Sequence, residues 1–239
     1  MAELADALDS GSSRGNSVDV RLILAAIMNS TALVANGHID DLAKIRSLIK
    51  KYPRIVAVDG GLCHCKAMGI SPHLIVGDFD SAPKELLDEY AVPKISLKVD
   101  KDKTDLEVAI EHEINLGAKH LTVFGGWGGR IDHSLTNALL LTRFPEQIRM
   151  ETELEIVFAI AGTTRIACQK GQTLSLLPLC GPVSGITTKG LKWELNRGTL
   201  DPDFIGISNI CLQPEILISI EEGVLLCSML RGESLGATF

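Results

Sequence analysis

Residues 121–133 read Leu121-Thr122-Val123-Phe124-Gly125-Gly126-Trp127-Gly128-Gly129-Arg130-Ile131-Asp132-His133. A short run that is apolar apart from one β-branched threonine suits a strand buried on both faces. The glycine-rich loop that follows lets backbone approach a ligand closely. Residues 133–143 then carry helical spacing. The same grammar recurs upstream. Strands are predicted over 32–35, 55–58 and 74–76, and helices over 41–50, 62–68, 83–90 and 104–116. Apolar strands alternating with helices predict an α/β fold, Rossmann-like, with a parallel sheet covered on both faces.

After Met150 the helical periodicity stops. Strand-like runs at 154–159, 165–168, 173–178, 191–195, 216–220 and 224–229 are separated by turn dipeptides such as Lys170-Gly171. That half predicts an all-β sandwich. The domain expectation is therefore 28–150 α/β and 151–239 β-sandwich. Residues 1–27, of which the first twenty show little periodicity, contain Gly11-Ser12-Ser13-Arg14-Gly15-Asn16-Ser17. They are expected to be a disordered tail, or a start placed too far upstream, with Met28 the true first residue.

Several function classes are disfavoured by composition. Among 239 residues the net charge is −7, and the one local basic run is Lys50-Lys51, so a duplex nucleic-acid partner is not expected. The apolar run Leu22 to Met28 is far short of a membrane span, so no membrane partner is expected. Glu3, Asp6 and Asp9 carry the wrong charge for a secretory signal. The six cysteines include no Cys-x-x-Cys pair, and Cys63-His64-Cys65 reads as helix packing rather than a zinc site. This cysteine density points to a reducing, cytoplasmic compartment.

Three acidic clusters carry the chemistry: Gly77-Asp78-Phe79-Asp80-Ser81, Asp100-Lys101-Asp102-Lys103-Thr104-Asp105 and Gly128-Gly129-Arg130-Ile131-Asp132-His133. In an open α/β sheet, ligands sit beyond the carboxyl ends of strands. Asp59, Asp78, Asp80 and the 125–130 loop all follow strands and should share one edge. Hard cations such as Mg²⁺ take carboxylate oxygens plus substrate phosphates, which points to a metal–nucleotide site. Asp78 and Asp80, two apart in extended chain, would face one side and could hold one cation. They also suit a solvated turn. Thr104 and Glu107 fit a capping box, with Asp105 favouring the positive helix end; the other reading makes Asp105 a metal-side carboxylate with Lys103 near phosphate. Arg130 could clamp phosphate. Asp132 could be a helix cap, and His133 an acid–base group or a helix-start side chain. No Walker loop or Gly-x-Gly-x-x-Gly is present. Trp193, one of two tryptophans, is a stacking platform or a half-buried strand aromatic, and Ser208-Asn209 reads as a turn.

Taken in order, seven stretches resemble the thiamin pyrophosphokinase family: Ala35-Asn36-Gly37, Val58-Asp59-Gly60-Gly61, Gly77 to Ser81, Asp102-Lys103-Thr104-Asp105, Gly128 to His133, Thr188-Lys189-Gly190-Leu191-Lys192-Trp193 and Ile207-Ser208-Asn209. The resemblance implies transfer of a pyrophosphoryl group from Mg-ATP to the hydroxyl of thiamin, with AMP leaving. It implies that Asp78, Asp80 and Asp105 hold Mg²⁺ and, with Asp132, form the catalytic set. Asn36, Asp59, Gly60, Lys103 and Arg130 would serve ATP. Asp132 would contact thiamin, and Trp193, Ser208 and Asn209 would reach the thiamin ring from the partner of a homodimer. Ile210-Cys211 and Asp201-Pro202-Asp203 depart from the family pattern on the thiamin side. Two other readings stand beside it: a pyrophosphokinase for another alcohol such as a hydroxymethylpterin, and a non-catalytic nucleotide-binding regulatory protein.

Overall fold

The computed structural model describes residues 29–98, 100 and 102–232. The expectations for residues 1–27 lie outside them. The first half runs β1 (Ser30–Val34), α1 (Leu42–Ile49), β2 (Arg54–Val58), α2 (Gly61–Ala67), β3 (Leu74–Gly77), α3 (Lys84–Glu89), β4 (Lys94–Ser96), α4 (Asp105–Asn115), β5 (His120–Phe124), α5 (Ile131–Arg143) and β6 (Ile148–Glu151). The strands pair in parallel in the order β4-β3-β2-β1-β5-β6.

Alternation along each strand explains the layers. Ala32, Val34, Ile55, Ala57 and Ile75 face one side and pack on Ile45 and Ile49 of α1, Leu62 and Cys65 of α2 and Leu86 and Leu87 of α3. Leu33, Val56, Val58, Val76 and Val123 face the other, against Leu106, Ala109 and Ile110 of α4 and Leu141 of α5. The chain builds outward from β1 to β4, then α4 carries it back to β5 on the opposite side of β1. The order therefore reverses between β1 and β5, the place where open α/β sheets bind ligands.

The second half runs β7 (Glu155–Ile160), β8 (Thr163–Ala167), β9 (Thr173–Leu177), β10 (Val183–Lys189), β11 (Gly198–Leu200), β12 (Gly206–Ile210), β13 (Glu215–Ser219) and β14 (Leu225–Leu230). β7 pairs antiparallel with β6, so the sheet continues without a break as β6-β7-β14-β9-β12 and reaches ten strands. Beyond Glu155, strand β7 is apolar, in keeping with the cover on both its faces. Val157 and Ala159 share a core with α5, while Ile156, Phe158 and Ile160 face the second layer, β11-β10-β13-β8. That antiparallel half, closed by Ile166, Ile186, Ile216 and Ile218, is a sandwich, in line with the expected α/β-then-β architecture.

Residues 191–195 depart from expectation. Gly190 takes φ 85°, and only Leu191 makes a bridge, to Cys211; Lys192, Trp193 and Glu194 lie exposed in a loop. Residues 206–210, read as a turn around Ser208-Asn209, form edge strand β12, with Ser208 at φ 57° where its pairing shifts register.

Candidate active site

The site is built from backbone first. The loop after β1 and the loop after β5 run side by side beyond the sheet: Ala35 N donates to Phe124 O at 2.8 Å, Gly37 N to Gly125 O at 2.7 Å and His38 N to Trp127 O at 2.7 Å. Gly125 sits at φ 67°, and a Cβ there would meet the Ala35 carbonyl at 2.5 Å, so no larger residue allows this approach. His64 Nε2 donates to Gly37 O at 2.8 Å, since a carbonyl can only accept. Helix α5 steadies the other loop. Asn137 Nδ2 donates to Gly126 O at 2.7 Å, and Gly128 N donates to Ser134 Oγ at 3.1 Å.

Between the loops lies a cleft of about 380 Å³ lined by Ala35–Gly37, Val58, Asp59, Ser81, Thr104–Leu106, the 125–130 loop, His133, Thr136 and Asn137. Asp59 and Asp105 lie on its floor, and with Asp78 beside them each offers a carboxylate oxygen, all within 4.8 Å of one another. Asp59 follows β2, Asp78 follows β3 and Asp105 opens α4. Asp59 holds φ 48°, a left-handed backbone that aspartate tolerates better than most residues. Its Oδ1 is buried and has no hydrogen-bond partner among the described residues. A buried, orphaned carboxylate oxygen is costly, and a hard cation is its natural complement. The donor set therefore fits a divalent ion such as Mg²⁺.

Asp80 is placed differently. Phe79 is left-handed at φ 66°, so the chain is not extended there and the two-residue alternation does not hold. Asp80 is exposed, accepts from Ser81 Oγ at 2.9 Å, and donates its amide to Asp78 Oδ1 at 3.2 Å. It lies outside the group of three.

Thr104 caps α4, its Oγ1 accepting from Glu107 N at 3.2 Å. Glu107 does not reach back to complete a capping box; its carboxylate meets Arg143 at 2.8 Å. Asp105 thus occupies a favourable first turn and also joins the acidic floor. Lys103 is turned away from the cleft, with Nζ 2.6 Å and 2.7 Å from the two oxygens of Glu111. Arg130 lines the cleft, but its guanidinium is engaged by Asp132: Nε to Oδ1 at 3.1 Å and Nη2 to Oδ2 at 2.6 Å. The hydrogen bond from Arg130 holds the Asp132 carboxyl down at about 2. Asp132 is not the helix cap; Arg130 occupies that position without a side-chain bond. Asn36 and Gly60 touch, since a Cβ on Gly60 would fall 2.3 Å from the Asn36 amide.

Trp193, Ser208 and Asn209 are not among the cleft-lining residues. Asn209, buried, braces the Trp193 loop: Oδ1 accepts from Trp193 N at 3.1 Å and Nδ2 donates to Trp193 O at 2.7 Å. The Trp193 ring is 55% exposed, with Lys192 Nζ 4.5 Å from its centroid. Ser81 was quoted only as the last residue of its acidic cluster, without a role, and Ser134, Thr136 and Asn137 escaped the sequence reading. The last three could have been found by their placement in the first turns of the helix that directly follows the glycine loop.

Residues 45–156 match the family model for the catalytic domain of thiamin pyrophosphokinase, and residues 163–225 match that for its vitamin B1 binding domain. A thiamine pyrophosphokinase of Arabidopsis thaliana is 30% identical over 166 residues, covering 63% of this chain and 61% of that one. The Bacillus subtilis thiamine pyrophosphokinase is 26% identical over 212 residues, covering 83% of this chain and 97% of that one. A crystal structure of thiamin pyrophosphokinase from Geobacillus thermodenitrificans superposes with a TM-score of 0.76 at 25% identity, over 86% of this chain and 99% of the other.

Proposed function

The chain belongs to the thiamin pyrophosphokinase family, and from that premise we propose that it transfers the pyrophosphoryl group of ATP to the hydroxyl of thiamin, giving thiamin diphosphate and AMP. The observation that carries this reading is the acidic side of the cleft: three carboxylates within 4.8 Å of one another, beyond the ends of β2 and β3 and at the start of α4, one with a buried oxygen that has no partner among the described residues. Asp59, Asp78 and Asp105 would hold Mg²⁺, with Asp80 on the adjoining turn available to close the set from the exposed side. The ion, when bound, supplies charge neutralisation for phosphate oxygens.

The remaining work falls to the chain itself. The facing loops at 35–38 and 125–130 offer close backbone approach to the nucleotide, with Asn36 and Gly60 shaping that wall. Arg130 can bring a planar fork of donors to phosphate as charge develops on the departing AMP. Lys103 would have to leave Glu111 to do the same. Asp132, held at about 2 while paired with Arg130, is a weak base in that state, since an efficient general base titrates near the working pH.

We also propose a homodimer in which the partner subunit's Trp193, Ser208 and Asn209 complete the thiamin side, with Trp193 stacking on the ring and Asn209 holding its loop. Exposed apolar side chains on both sides support this: Ile131, Leu135 and Leu139 along α5, and Trp193, Phe204 and Ile207 on the β half. Among the described residues no helix is long and apolar enough to cross a membrane. The six cysteines form no disulfide, which favours a reducing compartment and, with it, the cytoplasm.

The test is a product assay with purified protein, ATP, Mg²⁺ and thiamin. Equal amounts of AMP and thiamin diphosphate are expected. ADP with thiamin monophosphate, or AMP only with a pterin alcohol, would overturn the reading.

A further inference from the structure

Arg130 has two calls on the same edge of its guanidinium. In this structure Nε and Nη2 grip the two oxygens of Asp132, two residues on, while the side chain also lines the cleft beside the glycine loop. A phosphate accepting from that edge would have to displace Asp132, because Arg presents its donors in a fixed fork. The pair is built to part easily. Both side chains are exposed, at 72% and 60%, and exposed ion pairs are weak. Asp132 does not depend on Arg130 for its position: Oδ1 also accepts from His133 N at 3.0 Å, at the positive end of the thirteen-residue helix α5. The carboxylate would stay where it is when the arginine leaves.

Resting on the reading of the cleft as the nucleotide site, we propose that the Arg130–Asp132 pair is an exchange latch: a triphosphate draws the guanidinium away and uncovers the Asp132 carboxylate for the second substrate. Thiamin carries a fixed positive charge on its thiazolium ring, so an uncovered carboxylate attracts it and a covered one does not. Binding of the two substrates is then mutually favourable, because coupling between sites is reciprocal. The latch also keeps cationic ligands off Asp132 until the phosphates are in place.

The test is a double-mutant cycle by calorimetry on the full chain, with Mg²⁺ and α,β-methylene-ATP as the non-transferable probe. Asp132→Asn frees Arg130 and should tighten the analogue roughly two- to five-fold, the range set by a weak exposed pair. In an Arg130→Gln background the same change should produce no gain. Persistence of the gain there would mean simple charge removal, and absence of any gain would mean no competition; either overturns the latch. Thiamin should bind wild type roughly two- to five-fold tighter with saturating analogue, and Arg130→Gln should show no such gain. Thiamin affinity indifferent to the analogue overturns the coupling. A folded wild type that neither binds the analogue nor turns over ATP would sink the nucleotide reading and the latch with it, whereas full turnover without the cycle's signature sinks the latch alone.

Discussion

Strand β2 begins and ends beside a carboxylate with a buried oxygen, and the two are treated in opposite ways. At its start Arg54 reaches Glu113 of α4, which is almost wholly buried. Glu113 accepts from Arg54 Nε at 2.7 Å, Arg54 Nη2 at 2.9 Å and Thr31 Oγ1 at 3.2 Å. The bond raises the Arg54 pKa further, so the guanidinium stays charged at any working pH. At its end Asp59 buries an oxygen that accepts nothing and faces two more carboxylates. One end is saturated from within the chain and serves the fold. The other requires something from outside, which is what a binding site looks like in energetic terms.

The largest effect that would sharpen this contrast is Arg54→Met. It should leave Glu113 as a buried charge without its ion-pair partner and cost about 3 kcal/mol, the low end for such pairs because the outer edge of Arg54 is wet. Urea unfolding measures it, and turnover of the molecules still folded should be unchanged. A loss of turnover without loss of stability would erase the distinction between the two ends.

Next comes Asp78→Asn at the open end. Turnover should fall about 10²- to 10³-fold, the scale of losing one strong electrostatic contact in a transition state. The unfolding midpoint should hold or rise, since like-charge crowding is relieved. Undiminished turnover would remove Asp78 from the ion's shell.

Trp193→Ala should weaken thiamin by several-fold, stacking being worth about 0.5–1.5 kcal/mol beyond area, and leave the ATP analogue untouched. Equal loss for both ligands would mean that the loop braced by Asn209 supports the whole fold instead.

The smallest expected effect concerns Asp132. With Arg130→Gln its titration should move from about 2 back toward 3.8, followed by NMR. A depressed carboxyl stabilises the native state above the unfolded pKa, and that contribution is lost as pH falls through the native one. Because the pair is largely exposed and screened by solvent, melting above pH 5 should change little. An unmoved titration would show that Arg130 is not what holds Asp132.

What the sequence made legible follows from period and position. Unbroken apolar strands fixed the parallel half, and their carboxyl ends pointed to one edge for Asp59, Asp78, Asp80 and the glycine loop, while Asp105 was read apart from them, as a helix-start residue or a metal-side carboxylate. The orientation of Asp80 was not legible, because left-handed Phe79 breaks the alternation that the pattern assumed. Nor was Asn209 as a brace, since nothing local links it to residue 193. Strand β7 explains a further gap. Its apolar run fits a buried strand, but only the pairing with β6 shows that one ten-stranded sheet joins the two halves.

The most direct measurement is a Mn²⁺ titration followed by electron paramagnetic resonance, with α,β-methylene-ATP present, on wild type and Asp59→Asn. Asparagine keeps the shape and tolerates the left-handed backbone, so only the charge is removed. The account predicts at least about tenfold weaker Mn²⁺ binding in the variant, or 1.4 kcal/mol, with an unchanged melting temperature. Equal affinity in both proteins would contradict it, leaving the orphaned oxygen of Asp59 without a role in holding the ion.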